Sequence, residues 1–166
     1  FIKETLIIID LDIFFPLEIS IKSNYENKLN LENIKRLLYE AKTYSRKSLS
    51  KKKIIHIIIT NYRVDNKNLS FLPVETKSNN FSLDINFTCL SSDYVKNLEF
   101  TLKKYHISLK RLIKGDYVKS FISDEEKDLF LMTKKIVNGF NPNEVVLVNK
   151  IEKKLGFFER FFHFFN

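Results

Sequence analysis

Apolar residues change period several times along this chain, and each change predicts an element. Residues 5–15 (TLIIIDLDIFF) form a β-rich run, after which Leu17, Ile19 and Ile21 alternate with Glu18, Ser20 and Lys22. They read as one strand, or as two short ones meeting at Pro16, because proline brings no N–H to a ladder. Leu31, Ile34, Leu37, Leu38 and Ala41 recur at helical spacing, which predicts a helix over 31–43 capped by Asn30, with Glu32 in its first turn. Residues 54–64 (IIHIIITNYRV) are apolar on both faces, as in a central strand. Asp65, Asn66, Asn68 and Pro73 supply turn chemistry. Strict alternation follows at Phe81, Leu83, Ile85, Phe87 and Cys89, with Ser82, Asp84, Asn86 and Thr88 on the face left to water.

A second helix over 93–105, capped by Ser92, puts Tyr94, Val95, Leu98, Leu102 and Tyr105 on one side. Residues 107–113 read as a short strand interrupted by Lys110 and Arg111. Ser123 with Glu126 has the spacing of a capping box before a third helix, which Gly139 and Pro142 stop near Asn138. Residues 144–148 can form a last short strand. The order strand, helix, strand, strand, helix, strand over 14–113 predicts an α+β domain whose helices pack on one face of a small sheet.

The end of the chain differs from the rest. Phe157, Phe158, Phe161, Phe162, Phe164 and Phe165 gather on one broad side of a predicted helix over 155–165, with Glu159, Arg160 and His163 opposite. Such a helix rises roughly 16 Å, about half of a hydrocarbon core, so it can lie on a bilayer but not cross one. Lys150, Lys153 and Lys154 precede it as a basic cluster suited to anionic headgroups, and Arg160 adds to it. The alternative is that the tail docks on its own domain as a last core helix; either way its Phe face needs cover.

Composition narrows the partners. There are 28 Lys and Arg against 20 Asp and Glu, and the net charge of +8 favours an acidic partner, a membrane face or a nucleic acid. The 166 residues suit one core with extensions, and three Gly with three Pro argue against a long flexible linker. A single cysteine, Cys89, precludes an intrachain disulfide framework and suits a reducing cytosol. The sequence contains no secretory leader and no apolar run of eighteen residues, and it begins at Phe1 rather than Met, as a fragment or processed product would.

Catalytic constellations are sparse. Cys89, His56, His106 and His163 are too scattered for a zinc site. Cys89 falls on an apolar strand face as a small core residue, and His56 within an apolar strand suggests a hydrogen-bonded structural role rather than a general base. Asp10 and Asp12 superficially form a carboxylate pair but read as edge or turn residues. Gly115, Gly139 and Gly156 are isolated, so no glycine-rich phosphate cradle is available. No cofactor or metal is therefore expected.

Several stretches together resemble the inserted subdomain of the FtsA family, actin-related bacterial cell-division proteins of the strand-helix-strand-strand (SHS2) superfamily. They are LENIKRLLYEA (31–41), IIHIIITNYRVDN (54–66) with its His56, Tyr62 and Asp65, Pro73, SLDINFTCLS (82–91), YVKNLEFTLKKYHISLKRL (94–112) and SDEEKDL (123–129). The Phe-rich end is similar to the amphipathic membrane-targeting helix of that family. The resemblance implies an SHS2-like interaction domain over 1–122, a helical extension over 123–148, and a linker with a membrane-targeting helix over 149–166. In the family the acidic stretch leads into an actin-like ATPase lobe with a glycine-rich phosphate loop; here LFLMTKKIVNGFNPNEVV comes after it instead. The implied activity is thus a non-catalytic scaffold that binds division proteins or itself at the inner face of the cytoplasmic membrane, without the lobe that grips the polymer FtsZ. A nucleic-acid-binding module built on the basic connector 42–53 (KTYSRKSLSKKK) is the competing reading. The polar face of the 81–89 strand, which lacks stacking aromatics, weighs against it.

Overall fold

A computed structural model describes residues 3–24, 29–73, 80–124 and 126–146 of the chain. The predicted tail helix with its six Phe, the lysines at 150, 153 and 154, Arg160, and positions 147–148 of the last predicted strand lie outside these residues. The described part is α+β, in the order β1 (Glu4–Ile9), β2 (Phe15–Asn24), α1 (Leu31–Tyr44), β3 (Lys52–Val64), β4 (Lys67–Leu69), β5 (Asn80–Ser91), α2 (Ser92–Lys104), β6 (Ser108–Lys114), α3 (Gly115–Lys119) and α4 (Leu129–Val137).

Two sheets form. Four strands run in the spatial order β2-β5-β3-β4, all neighbours antiparallel, while β1 and β6 make a separate parallel pair. The apolar run at 5–15 is therefore divided between sheets, and the division falls over residues 10–14 rather than at Pro16. Pro16 sits inside β2 opposite Thr88; β2 is an edge strand, and its outer side needs no N–H from the proline.

β5 carries the alternation it promised. Phe81, Leu83, Ile85, Phe87 and Cys89 are all buried and pack with Ile34, Leu37 and Ala41 of α1 and with Ile57, Ile59 and Tyr62 of β3. A reciprocal cap starts α1: the Asn33 N–H donates to Asn30 Oδ1 and the Asn30 N–H donates to Asn33 Oδ1. The connector is shorter than 42–53, because α1 runs on to Tyr44 and β3 begins at Lys52.

Other boundaries move for local reasons. Ser91 still pairs with Lys52 at the end of β5, and the Ser92 N–H donates to Lys51 O, so α2 springs directly from the strand and Ser92 is its first residue rather than its cap. Val95 of α2 meets Leu90, the residue that alternation turns away from the α1 side, in a second cluster with Ile9 and Leu112. Tyr94 and Tyr105, expected on the packed side of α2, are exposed. Ser123 and Glu126 bond through their backbones, and the cap of α4 is Asp128, which accepts from the N–H groups of Phe130 and Leu131. Gly139 ends that helix at φ 91°, where a side chain would be strained. The short helix α3 had no signal in the periodicity; its Val118 packs with Ile113, Met132 and Ile136.

Candidate functional site

Residues 143–145 approach the open side of β3. Glu144 forms an antiparallel bridge with Ile58, flanked by the Ile59 N–H donating to Asn143 O at 2.9 Å and the Val145 N–H donating to Ile57 O at 2.8 Å. The bridge carries the Glu144 side chain into the interior, where it is 3% exposed. A lone carboxylate there would be costly, and three donors offset the burial. His56 Nδ1 lies 2.7 Å from Oε1, the Arg111 guanidinium also reaches Oε1, and the Tyr117 hydroxyl donates to Oε2 at 3.0 Å.

The tautomer of His56 is set by its other nitrogen. The Lys114 backbone N–H donates to Nε2 at 3.0 Å, so that nitrogen is an acceptor and Nδ1 carries the hydrogen given to Glu144. Asn141 Nδ2 donates to the Tyr117 hydroxyl at 2.9 Å, and the ring of Tyr117 stacks at a tilt on His56, centroids 4.5 Å apart. Burial, together with the Glu144 charge as the next cause, pushes the Tyr117 hydroxyl far above its ordinary pKa. Tyr62, 1% exposed, donates from its hydroxyl to Asn143 Oδ1 at 3.0 Å, and burial raises its pKa to about 12.

His56 and Tyr62 thus hold the same segment, Asn141 to Glu144, against β3. His56 is the hydrogen-bonded structural residue its setting suggested. Asp65 stands apart in the β3–β4 turn at φ 46°, accepting from the Asn80 N–H at 2.9 Å. Cys89 is wholly buried, and burial raises its thiol pKa, as befits a core residue rather than a nucleophile. Asp10 closes the turn after β1, where Lys119 reaches both of its oxygens at 2.7 Å; Asp12 is exposed. No group of three His, Cys, Asp or Glu positioned for a metal occurs among the described residues.

Two further surfaces bear on partners. On the outer face of the four-stranded sheet, Asp84 takes bonds from Ser20 (2.5 Å), Asn61 (3.2 Å) and Arg63 (2.6 Å), so a carboxylate rather than a stacking ring occupies its middle. At the start of β3, just past the connector, Lys53 pairs with Glu99 at 2.7 Å and Lys52 lies over the Phe15 ring. No helix among the described residues is long and apolar enough to cross a membrane.

Sequence reasoning missed the centre of this network. Arg111 read as an interruption of a strand and Glu144 as the start of one; the available signal was that each directly borders an apolar pair, Leu112 with Ile113 and Val145 with Val146. Their pairing depends on which strands become neighbours, which periodicity does not report. Compared with known proteins, the chain matches no family model and no curated protein.

Proposed function

We propose that the protein is a non-catalytic, FtsA-like scaffold of the cell-division machinery. Its α+β domain would bind division proteins or a second copy of itself, and its Phe-rich tail would hold it to the anionic inner face of the cytoplasmic membrane. The observation that carries this reading is order: the stretches that resemble the FtsA inserted subdomain lie in sequence on α1, β3, β5, α2 and β6, behind an edge strand β2 that completes a strand, helix, strand, strand succession. The largely buried polar groups give secondary support, since Glu144, His56, Arg111 and Tyr117 satisfy one another and hold elements together.

The membrane half rests on the sequence of residues 150–166. Partial burial of six rings, at about 1 kcal/mol each, opposes the ordering of the segment, so binding should be reversible and helped by the lysines. Cosedimentation with anionic liposomes tests it. Deleting residues 155–166, or replacing Phe158, Phe161 and Phe165 by Glu, should leave the protein in the supernatant; a truncated protein that pellets as well as the intact one would make the tail a core helix.

A further inference from the structure

The four-stranded sheet ends at β2, which pairs with β5 on one side; among the described residues no strand pairs with it on the other. Its apolar residues Leu17, Ile19 and Ile21 lie on the α1 side, where Ile21 is buried and the other two are half-buried at the rim of the core. Glu18, Ser20 and Lys22 alternate with them on the opposite face and are exposed. Pro16 has no N–H for β5, which fits a strand whose even-numbered residues turn their N–H and C=O groups to the open edge. Such an edge is a template for another strand.

The charges on β2 indicate which strand fits. Glu18 and Lys22 stand four residues apart, about 13 Å along a strand, so they cannot reach each other. Across the ladder Glu18 faces Asn86 and Lys22 faces Ser82, so β5 offers neither an opposite charge; Asn86 Nδ2 donates to Glu18 Oε1 at 3.4 Å. Facing residues in an antiparallel pair keep a constant sum of numbers. When two β2 strands from separate copies meet with Ser20 opposite Ser20, each Glu18 therefore faces a Lys22 and each Ile19 faces an Ile21. Centring the pair on Ile19 or Ile21 leaves both charges opposite uncharged residues, and centring it on Glu18 or Lys22 sets like charges face to face. Registers between these set apolar residues opposite polar ones.

We propose that a second copy of this chain pairs antiparallel with β2, Ser20 opposite Ser20, so that two four-stranded sheets join into one across a two-fold axis. On the outer face each Glu18 meets the Lys22 of the other copy. On the α1 side each Ile19 meets the Ile21 of the other copy, which covers the half-buried rim and extends both apolar clusters. This contact gives a surface to self-association, the half of the functional reading on which it rests, and it needs nothing from the membrane tail.

Sedimentation velocity on the full chain tests the contact without any membrane. The unaltered protein should show a reversible monomer–dimer equilibrium. Glu18→Lys and Lys22→Glu, both at exposed positions, should each weaken dimerisation at least ~10-fold, since both ion pairs become repulsions. An equimolar mixture of the two variants should regain the dimer, because every Lys then meets a Glu. Single variants that dimerise as well as the unaltered chain, or a mixture that stays monomeric, overturn the contact while leaving self-association to another surface. An unaltered chain that stays monomeric overturns both and makes Pro16 and Lys22 guards of the edge. Ser20→Cys checks the register, since facing strand residues stand close enough for a disulfide. Under mild oxidation it should cross-link two copies well ahead of Glu18→Cys, and equal rates would overturn the pairing centred on Ser20; Cys89 is buried and does not compete. Liposome release of the tail variants is independent of these results, so failure of the contact and failure of the membrane reading are separately visible.

Discussion

Glu144, itself buried, receives a guanidinium, an imidazole N–H and a phenol; of these donors His56 is buried and Arg111 and Tyr117 are half-buried. Glu144→Ala would leave buried His56 and the half-buried Arg111 and Tyr117 without that acceptor. The expected loss is about 3–5 kcal/mol, read from urea unfolding, whereas an exposed pair such as Lys110 with Glu4 should be worth less than about 1 kcal/mol. Tyr62 yields a pH prediction. Its folded-state pKa of about 12 lies above the ordinary 10, so the folded chain holds the phenol proton more tightly than the unfolded one. Its contribution is whole below pH 10 and is lost as pH rises from 10 toward 12. Unfolding midpoints measured across that window should fall for the native chain and fall less steeply for Tyr62→Phe.

At the scale of elements, β5 is the strand on which the others are assembled, with β2 on one side and β3 on the other. Phe87 lies on its inward face, 1% exposed, in the cluster that α1 covers. Phe87→Ala would leave a cavity that rigid sheet neighbours cannot close, costing about 3–5 kcal/mol. A circular-dichroism melt should show a large drop in midpoint, and any partner binding should go with it. The alternation at 81–89 and the stripe at 31–43 were legible in the sequence because one-sided burial imposes a period. α3 was not, since five residues are too few for a period and its packing comes from Ile113, Met132 and Ile136, two of them well along the chain.

At the scale of the whole molecule, the described residues form two sheets joined by the apolar cluster of Ile9, Leu90, Val95 and Leu112 and by the polar network around Glu144. The basic stretch 42–53 contributes little to that union: Lys53 is in an exposed ion pair, Lys47 and Lys51 are exposed, and half-buried Lys52 lies over the ring of Phe15. Replacing Lys47, Lys51, Lys52 and Lys53 by Ser should therefore leave folding nearly unchanged. The same variant separates the scaffold reading from the nucleic-acid one. Titrations of labelled single-stranded RNA and duplex DNA at two salt concentrations, with the tail deleted to exclude adhesion, should show no tight binding. Submicromolar, salt-dependent binding that the four-Lys variant loses would overturn the scaffold assignment, because phosphate contacts release counterions and steepen the salt slope.

The sequence alone settled the α+β class, the two long helices, the alternating strand and the structural character of His56 and Cys89. These depend on the period of burial or on the immediate apolar surroundings, both written locally in the chain. Tertiary structure decided that the run at 5–15 splits between two sheets, that β1 pairs with β6 across about a hundred residues, and that Glu144 completes a network with His56 and Arg111. Such choices turn on which strands become neighbours. Several registers satisfy the same pattern of apolar residues, and the balance of burial and hydrogen-bond satisfaction that selects one of them exists only once the whole chain has folded.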